Sequence, residues 1–357
     1  MKRQRRYITY GATGISLAAI GFDILRQWLE HKDKDLRFTW ETYDGLRTFK
    51  IALLGGIAGA ALGKAYYHYK IGNEAILPFD PDEYLQKQIS LENLKSDPEL
   101  FRIAIDVRKR VKQVLSEVFK DSLVSAPEDT GSFTNRTANI SNYDFDIILP
   151  FKKNAYSSLC SMYNNVLNKL GEAFHNKAFI RKHTKAIGLI FEHNGSEFHF
   201  DIVPGREVGD YPLDKTLNLY KRPTWIWQKG SSFKINVNYQ KRITINKPEA
   251  RKAIRLIKLY RDRNNLNLPT IVIVHSVVRA LSNNFFGTHY SITENLLNCM
   301  DFIATKLNHA SIIDPANTNN NLTSKMSSFE KQYISNKLRQ DIEAVEDNPR
   351  YLKEIFE

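Results

Sequence analysis

The chain opens with two apolar runs that carry no charge, residues 7–22 (YITYGATGISLAAIGF) and 51–63 (IALLGGIAGAALG). Each falls short of the roughly 20 apolar residues that span a bilayer, although Lys64, Tyr66 and Tyr67 can extend the second by interfacial placement. Gly55, Gly59 and Gly63 recur every fourth residue, a face on which two helix backbones approach closely. Residues 1–72 are therefore expected to form a two-helix hydrophobic hairpin. It either enters a membrane through residues 7–28 and 51–68 or packs on a soluble body. No small-residue cleavage site marks the first run as a signal peptide.

From about residue 77 the pattern becomes globular. Leu100, Ile103, Val107, Val111, Val114 and Val118 recur at steps of three or four behind a Ser96 or Asp97 cap and Pro98, which predicts a long core-packing helix. Apolar and polar positions then alternate in YDFDIIL, residues 143–149, predicting a strand with Asp144 and Asp146 on one face and Phe145, Ile147 and Leu149 on the other. A helix over residues 155–175 follows. AIGLIFEHNGSEFHFDIVPG predicts a hairpin turned by Asn194-Gly195, in which Asp201 shares a face with His199 and lies opposite Phe198, Phe200 and Ile202. The remainder is expected to be helical, with residues 314–328 as a polar loop and two closing helices.

Charge changes the picture. Lys and Arg number 51 against 39 Asp and Glu, a net charge of +12, which suits a polyanionic partner. Between Lys241 and Arg263 nine basic residues stand against two acidic ones. Cys160 and Cys299 are far apart and without metal-ligand spacing, which argues against a disulfide framework or a zinc site and for a reducing compartment.

Like-charged carboxylates are kept side by side where a cation lies between them or one holds a proton. Three of them, Asp144, Asp146 and Asp201, can hold two Mg²⁺ ions, with Mn²⁺ as the alternative. The Gly131-Ser132 turn ahead of them can cradle phosphate through backbone N–H groups and a hydroxyl.

These elements resemble the nucleotidyltransferase superfamily of the polymerase β type: Gly131-Ser132 for the glycine-serine turn, Asp144 and Asp146 in YDFDI, and Asp201 in HFDIV. Thr137 after the turn, DIVP at Asp201–Pro204, Arg255 and Lys258 in IRLIKLYR, and Asp314, Pro315, Asn319 and Asn320 are similar to the CD-NTase branch of cyclic GMP-AMP synthase and oligoadenylate synthase, across residues 80–345. The resemblance implies an α+β fold: a polymerase β-like core with a mixed sheet over residues 77–235 and a helical C-terminal domain over 236–357, behind the hairpin. It also implies Asp144, Asp146 and Asp201 as catalytic metal ligands and Gly131, Ser132, Thr137, Arg255 and Lys258 as nucleotide-binding residues.

The implied activity is Mg²⁺-dependent joining of nucleoside triphosphates into a cyclic or linear oligonucleotide signal in anti-phage defence, read by a downstream effector. Alternatives are a catalytically silent, membrane-anchored nucleotide sensor, or an enzyme that extends an RNA, DNA or protein primer. The hairpin would place the enzyme on the cytoplasmic face of a bacterial inner membrane, or leave it soluble in the cytoplasm. The family's Pro-Ser-acidic segment is absent; Thr270 and His275 stand there instead. Tyr220, Trp225 and Trp227 could stack on a base, but packing in the core or against the hairpin is the reading preferred for the tryptophans.

Overall fold

The first of the expected elements form two long helices, α1 (Lys2–Lys32) and α2 (Gly45–Glu74). The computed structural model describes residues 2–32, 45–74, 79–141, 143–193, 195–225, 227–282, 291–309, 311–314 and 317–357. Gly59 and Gly63 are buried, and a Cβ on Gly55 would lie 3.0 Å from Ala19 Cβ, so the glycine face of α2 is the seam with α1. The chain divides into two compact units, Met1–Asp80 with Glu346–Pro349 and Pro81–Val345 with Arg350–Glu357. The parts expected as core and helical domain thus belong to one unit.

That second unit begins with α3 (Pro81–Leu91) and the long helix α4 (Pro98–Val118), where the Asp97 carboxylate accepts the Leu100 N–H at 2.9 Å and Pro98 occupies the first turn. There follow β1 (Glu128–Thr130), α5 (Gly131–Thr134), β2 (Phe145–Phe151), α6 (Leu159–Ala173), β3 (Phe179–Lys182), β4 (Ile187–His193), β5 (Ser196–Glu207), α7 (Tyr211–Asp214), β6 (Thr216–Lys221) and β7 (Ser231–Asn236). The helical half is α8 (Val237–Arg242), α9 (Pro248–Arg263), α10 (Thr270–Ser282) and α11 (Ile292–His309), then β8 (Ile313–Asp314), β9 (Asn317–Asn321), α12 (Ser328–Asp347) and α13 (Leu352–Phe356).

The seven strands β1–β7 make one mixed sheet: β1-β2-β5-β4-β3, with β6 pairing β5 and β7. Only β2 and β5 run parallel; the other pairs are antiparallel. Val111 and Leu115 of α4 and Met162, Val166 and Leu170 of α6 cover the sheet face formed by Phe145, Ile147, Leu149, Phe198, Phe200 and Ile202. Gly195 takes the positive φ of +76° that the β4–β5 turn requires; Asn194 lies outside the described residues.

Two expectations change. Residues 313–321 are not simply a loop: β8 and β9 form a short antiparallel ribbon, continued by the Leu322 N–H donating to the Ile312 carbonyl at 2.8 Å. Polar composition hid these strands, because a ribbon edge needs backbone pairing and no apolar alternation. Trp225 and Trp227 are 78% and 94% exposed. They lie in the β6–β7 connection, past the end of the strand pairing at Lys221 and Ser231.

Candidate active site

Local alternation put three carboxylates on strand faces, and aromatic packing fixes which of them meet. Phe145 and Phe200 stack at 5.0 Å between ring centroids, and Phe191 meets Phe200 edge-on at 5.5 Å. These rings hold β2 against β5 with Phe145 opposite Phe200 and Asp146 opposite Asp201. A slip of one residue would turn every ring out of the core, so the register, and with it the carboxylate pair, is strongly specified. Asp144 sits just before β2 and is exposed, its Oδ1 3.8 Å from His199 Nδ1.

The Gly131-Ser132 turn is built against this pair. Gly131 has φ +70°, and a Cβ there would fall 1.8 Å from Asp146 Oδ2. The neighbouring Ser132 N–H bonds the Asp146 carboxylate. Asn135 fixes the turn by donating to the Gly131 carbonyl at 3.0 Å and to the Gln240 carbonyl of α8 at 2.9 Å. Thr137 is buried; its N–H donates to the Ser132 carbonyl at 2.9 Å, and its own carbonyl accepts Lys258 Nζ at 3.1 Å.

The electrostatics follow from burial. Asp146 is pushed up to about 7 by burial and then by the charges of Asp201 and Asp144, with Lys258 and the Ser132 N–H pulling the other way. Asp201 is also raised, by burial and by Asp144, while His183 opposes the shift. His183 Nδ1 stands 3.1 Å from Asp201 Oδ1. Lys258, only 4% exposed, is lowered to about 8 by burial and by the Arg261 charge. Carboxylates that repel one another thus share a half-buried pocket with a desolvated ammonium.

A cavity of about 490 Å³ opens on Asp144, Asp146 and Lys258, whereas Asp201 is not among the residues that line it. Gly131, Ser132 and Thr137 line it too, with Tyr239, Arg261, Thr270, His275 and Asp314. Tyr239 and His275 lie nearly parallel, 13° between planes and 6.2 Å between centroids. Arg255 is not brought here. Its guanidinium donates to the Asn139 side chain at 3.2 Å and the Ile89 carbonyl at 2.7 Å, and it borders a different cavity beside Arg108 and Arg136. It ties α9 to the segment leading into β2. Tyr220 packs near Tyr163 instead, 5.9 Å between centroids, and Pro315 lies outside the described residues.

Sequence reasoning missed His183, Tyr239 and Arg261. His183 belongs to the β3–β4 turn, and nothing in RKHTKAI distinguishes it from any polar turn residue. Tyr239 and Arg261 stand in basic segments that read equally well as solvated helix faces.

Among the described residues no three His, Cys, Asp or Glu side chains are drawn together to hold a metal as they stand. The donors nevertheless fit a hard divalent cation. They are carboxylate oxygens; burial first and their mutual repulsion second raise Asp146 to about 7, and such a cation would offset both.

No protein-family model and no curated protein sequence matches the chain. Solved structures do. Escherichia coli MS115-1 CdnC with ATP superposes with a TM-score of 0.59 at 19% identity, over 77% of this chain and 97% of that one. The Bradyrhizobium diazoefficiens CD-NTase CdnG in complex with GTP gives 0.58 at 15% identity, over 78% and 96%. The Elizabethkingia meningoseptica CdnE cyclic dinucleotide synthase with GTP and Apcpp gives 0.54 at 14%, over 74% and 98%. At such identities the likeness is one of fold.

Proposed function

We propose that this chain, which has the fold of the CD-NTases, is a nucleotidyltransferase that joins nucleoside triphosphates into a cyclic or linear oligonucleotide and releases pyrophosphate. The observation that carries the reading is the close packing of the Asp146 carboxylate on Gly131, in register with Asp201 and beside buried Lys258. A pure binding module has no evident need for such clustered negative charge on a phosphate-cradling turn. Solved structures of this fold described with ATP or GTP support the nucleotide class.

In this reading the backbone N–H groups of the Gly131 turn and the Ser132 hydroxyl hold phosphate oxygens. Lys258 places its positive charge beside the same groups, where low exposure makes it count for more than in water. Asp201 Oδ accepts the proton of the attacking hydroxyl as that oxygen bonds to the α-phosphorus and the bond to pyrophosphate breaks. His183, 3.1 Å away, keeps the Asp201 carboxylate oriented. Tyr239, which lines the cavity, gives the base an aromatic ring to pack on. Mg²⁺ or Mn²⁺, held by Asp144, Asp146 and Asp201, would supply charge neutralisation and a lowered hydroxyl pKa. By its resemblance the product is a signal for a separate effector in anti-phage defence.

Lys258→Met is expected to slow turnover by about 10- to 100-fold without lowering thermal stability, since the buried ammonium is itself costly. Pyrophosphate release and a melting curve check both parts. A variant with wild-type turnover would remove Lys258 from the site.

The function is tested by incubating the full chain with the four ribonucleotides and, separately, the four deoxynucleotides, with Mg²⁺, beside Asp144→Ala/Asp146→Ala. Products that vanish in the double variant support the reading. Nucleotide binding without product under either metal would favour the silent sensor, and product formed only on an added primer the primer-extending enzyme.

A further inference from the structure

The helical pair α1–α2 has features the nucleotide site does not use. Leu17 and Phe22 on α1 and Leu53, Leu54, Ile57 and Leu62 on α2 are all more than half exposed, between 56% and 70%. At about 100° per residue the four on α2 fan over roughly 180°, the side opposite the arc of Gly55, Gly59 and Gly63 that meets α1. A partner helix would cover a narrow stripe. An apolar face half the circumference of α2, with further exposed apolar side chains on α1, is the surface hydrocarbon accepts.

Polar groups show the converse. The Asp23 carboxylate, 1% exposed, accepts the Thr48 hydroxyl at 2.5 Å and the Gln27 amide at 2.9 Å, and pairs with Arg47 Nε at 3.1 Å. Charge is inside the pair and apolar bulk outside, the inverse of a water-soluble helical hairpin and the arrangement bilayers impose on ionisable residues.

Lengths agree as well. Arg47–Ala65 is 19 residues with 11% buried within the protein, about 28 Å of helix against a hydrocarbon core of about 30 Å. Among the described residues this is the one helix long and apolar enough to cross by itself; in α1 the charge-free run, residues 7–22, is about 24 Å, a mismatch that local thinning of the bilayer accommodates. Packing of Ala19 and Ile15 on Gly55, and of Asp23 on Thr48, makes the helices antiparallel. The basic cluster Lys2, Arg3, Arg5 and Arg6 therefore lies at the same end as Lys64 and Lys70, and an anionic cytoplasmic leaflet complements that end.

We propose that α1 and α2 are a transmembrane helical pair that seats the chain in a lipid bilayer, with the Lys2 end of α1 and the Glu74 end of α2 on the cytoplasmic side and the Lys32 and Gly45 ends on the other. The inference uses no residue of the nucleotide site, and its test uses no nucleotide.

Full-length protein mixed with phosphatidylcholine–phosphatidylglycerol vesicles is floated on a density gradient, then washed with alkaline carbonate and with high salt. Wild type is expected to float and to survive both washes; Leu53→Lys/Ile57→Lys is expected to float at least about tenfold less. Leu53→Ile/Ile57→Leu, which keeps the apolar face, should float like wild type and separates loss of lipid contact from general disruption. Wild type left at the bottom of the gradient, or released by salt, overturns the proposal. A detergent-free, monodisperse oligomer that does not float would overturn it too and assign the apolar face to a second copy of the chain.

Discussion

Asp146→Asn is expected to abolish turnover, by about 10³-fold or more, and at the same time to raise the melting temperature of the metal-free protein at pH 8. The first effect follows from removing a carboxylate packed on the Gly131 turn, where the proposed reaction would bind phosphate. The second follows from the price of that carboxylate in the fold. Its folded pKa is about 7 against an ordinary 3.8, so between these values the folded state holds a proton the unfolded state has lost. Stability therefore falls as pH rises from 4 to 7, and the loss is complete above 7. With the side chain only partly buried, a destabilisation on the order of 2 kcal/mol is the expectation, worth a few degrees in a unit of this size. Asparagine carries no such charge. The difference between variant and wild type should shrink towards pH 4, where both are neutral.

Mg²⁺ should then stabilise wild type and leave the variant unmoved, narrowing or reversing the order, because only the intact carboxylates gain from the cation. Melting curves from pH 4 to 9, with chelator and with Mg²⁺, test all of this. A variant less stable than wild type throughout the chelated series would mean that Asp146 is satisfied by its neighbours and not held against repulsion.

Gly131→Ala is expected to be nearly as damaging to activity, by about 10²-fold or more, for a steric reason. Alanine at φ +70° costs about 1 kcal/mol, and its Cβ would stand 1.8 Å from Asp146 Oδ2. One of the two groups must move, so the carboxylate leaves its place over the turn. A combined loss of about 1–3 kcal/mol is expected. The double variant Gly131→Ala/Asp146→Ala removes the Oδ2 and Cγ clashes, leaves only the 3.0 Å approach of the residue-146 Cβ beside the backbone term, and should recover most of the lost stability though not the activity, a non-additivity diagnostic of direct contact. If the two substitutions simply add, the contact does not govern the turn.

The helical pair and the strand carboxylates were legible because their determinants are local. Four-residue glycine spacing marks the face on which α2 meets α1, and two-residue alternation places Asp146 and Asp201 opposite the core-facing phenylalanines whichever strands pair. The tertiary structure alone decided that β2 and β5 run parallel with Asp146 facing Asp201, since register depends on rings far apart in sequence packing together.

It also decided what becomes of Arg255 and Lys258. They are one helical turn apart, similar in charge and equally plausible in sequence, yet Lys258 reaches the Thr137 carbonyl in the cavity while Arg255 is spent on Asn139 and Ile89. His183 meets Asp201 only because the β3–β4 turn folds back beside β5. Periodicity fixes which way a side chain leaves its own element. What it meets there depends on elements a hundred residues away, and only packing brings those into place.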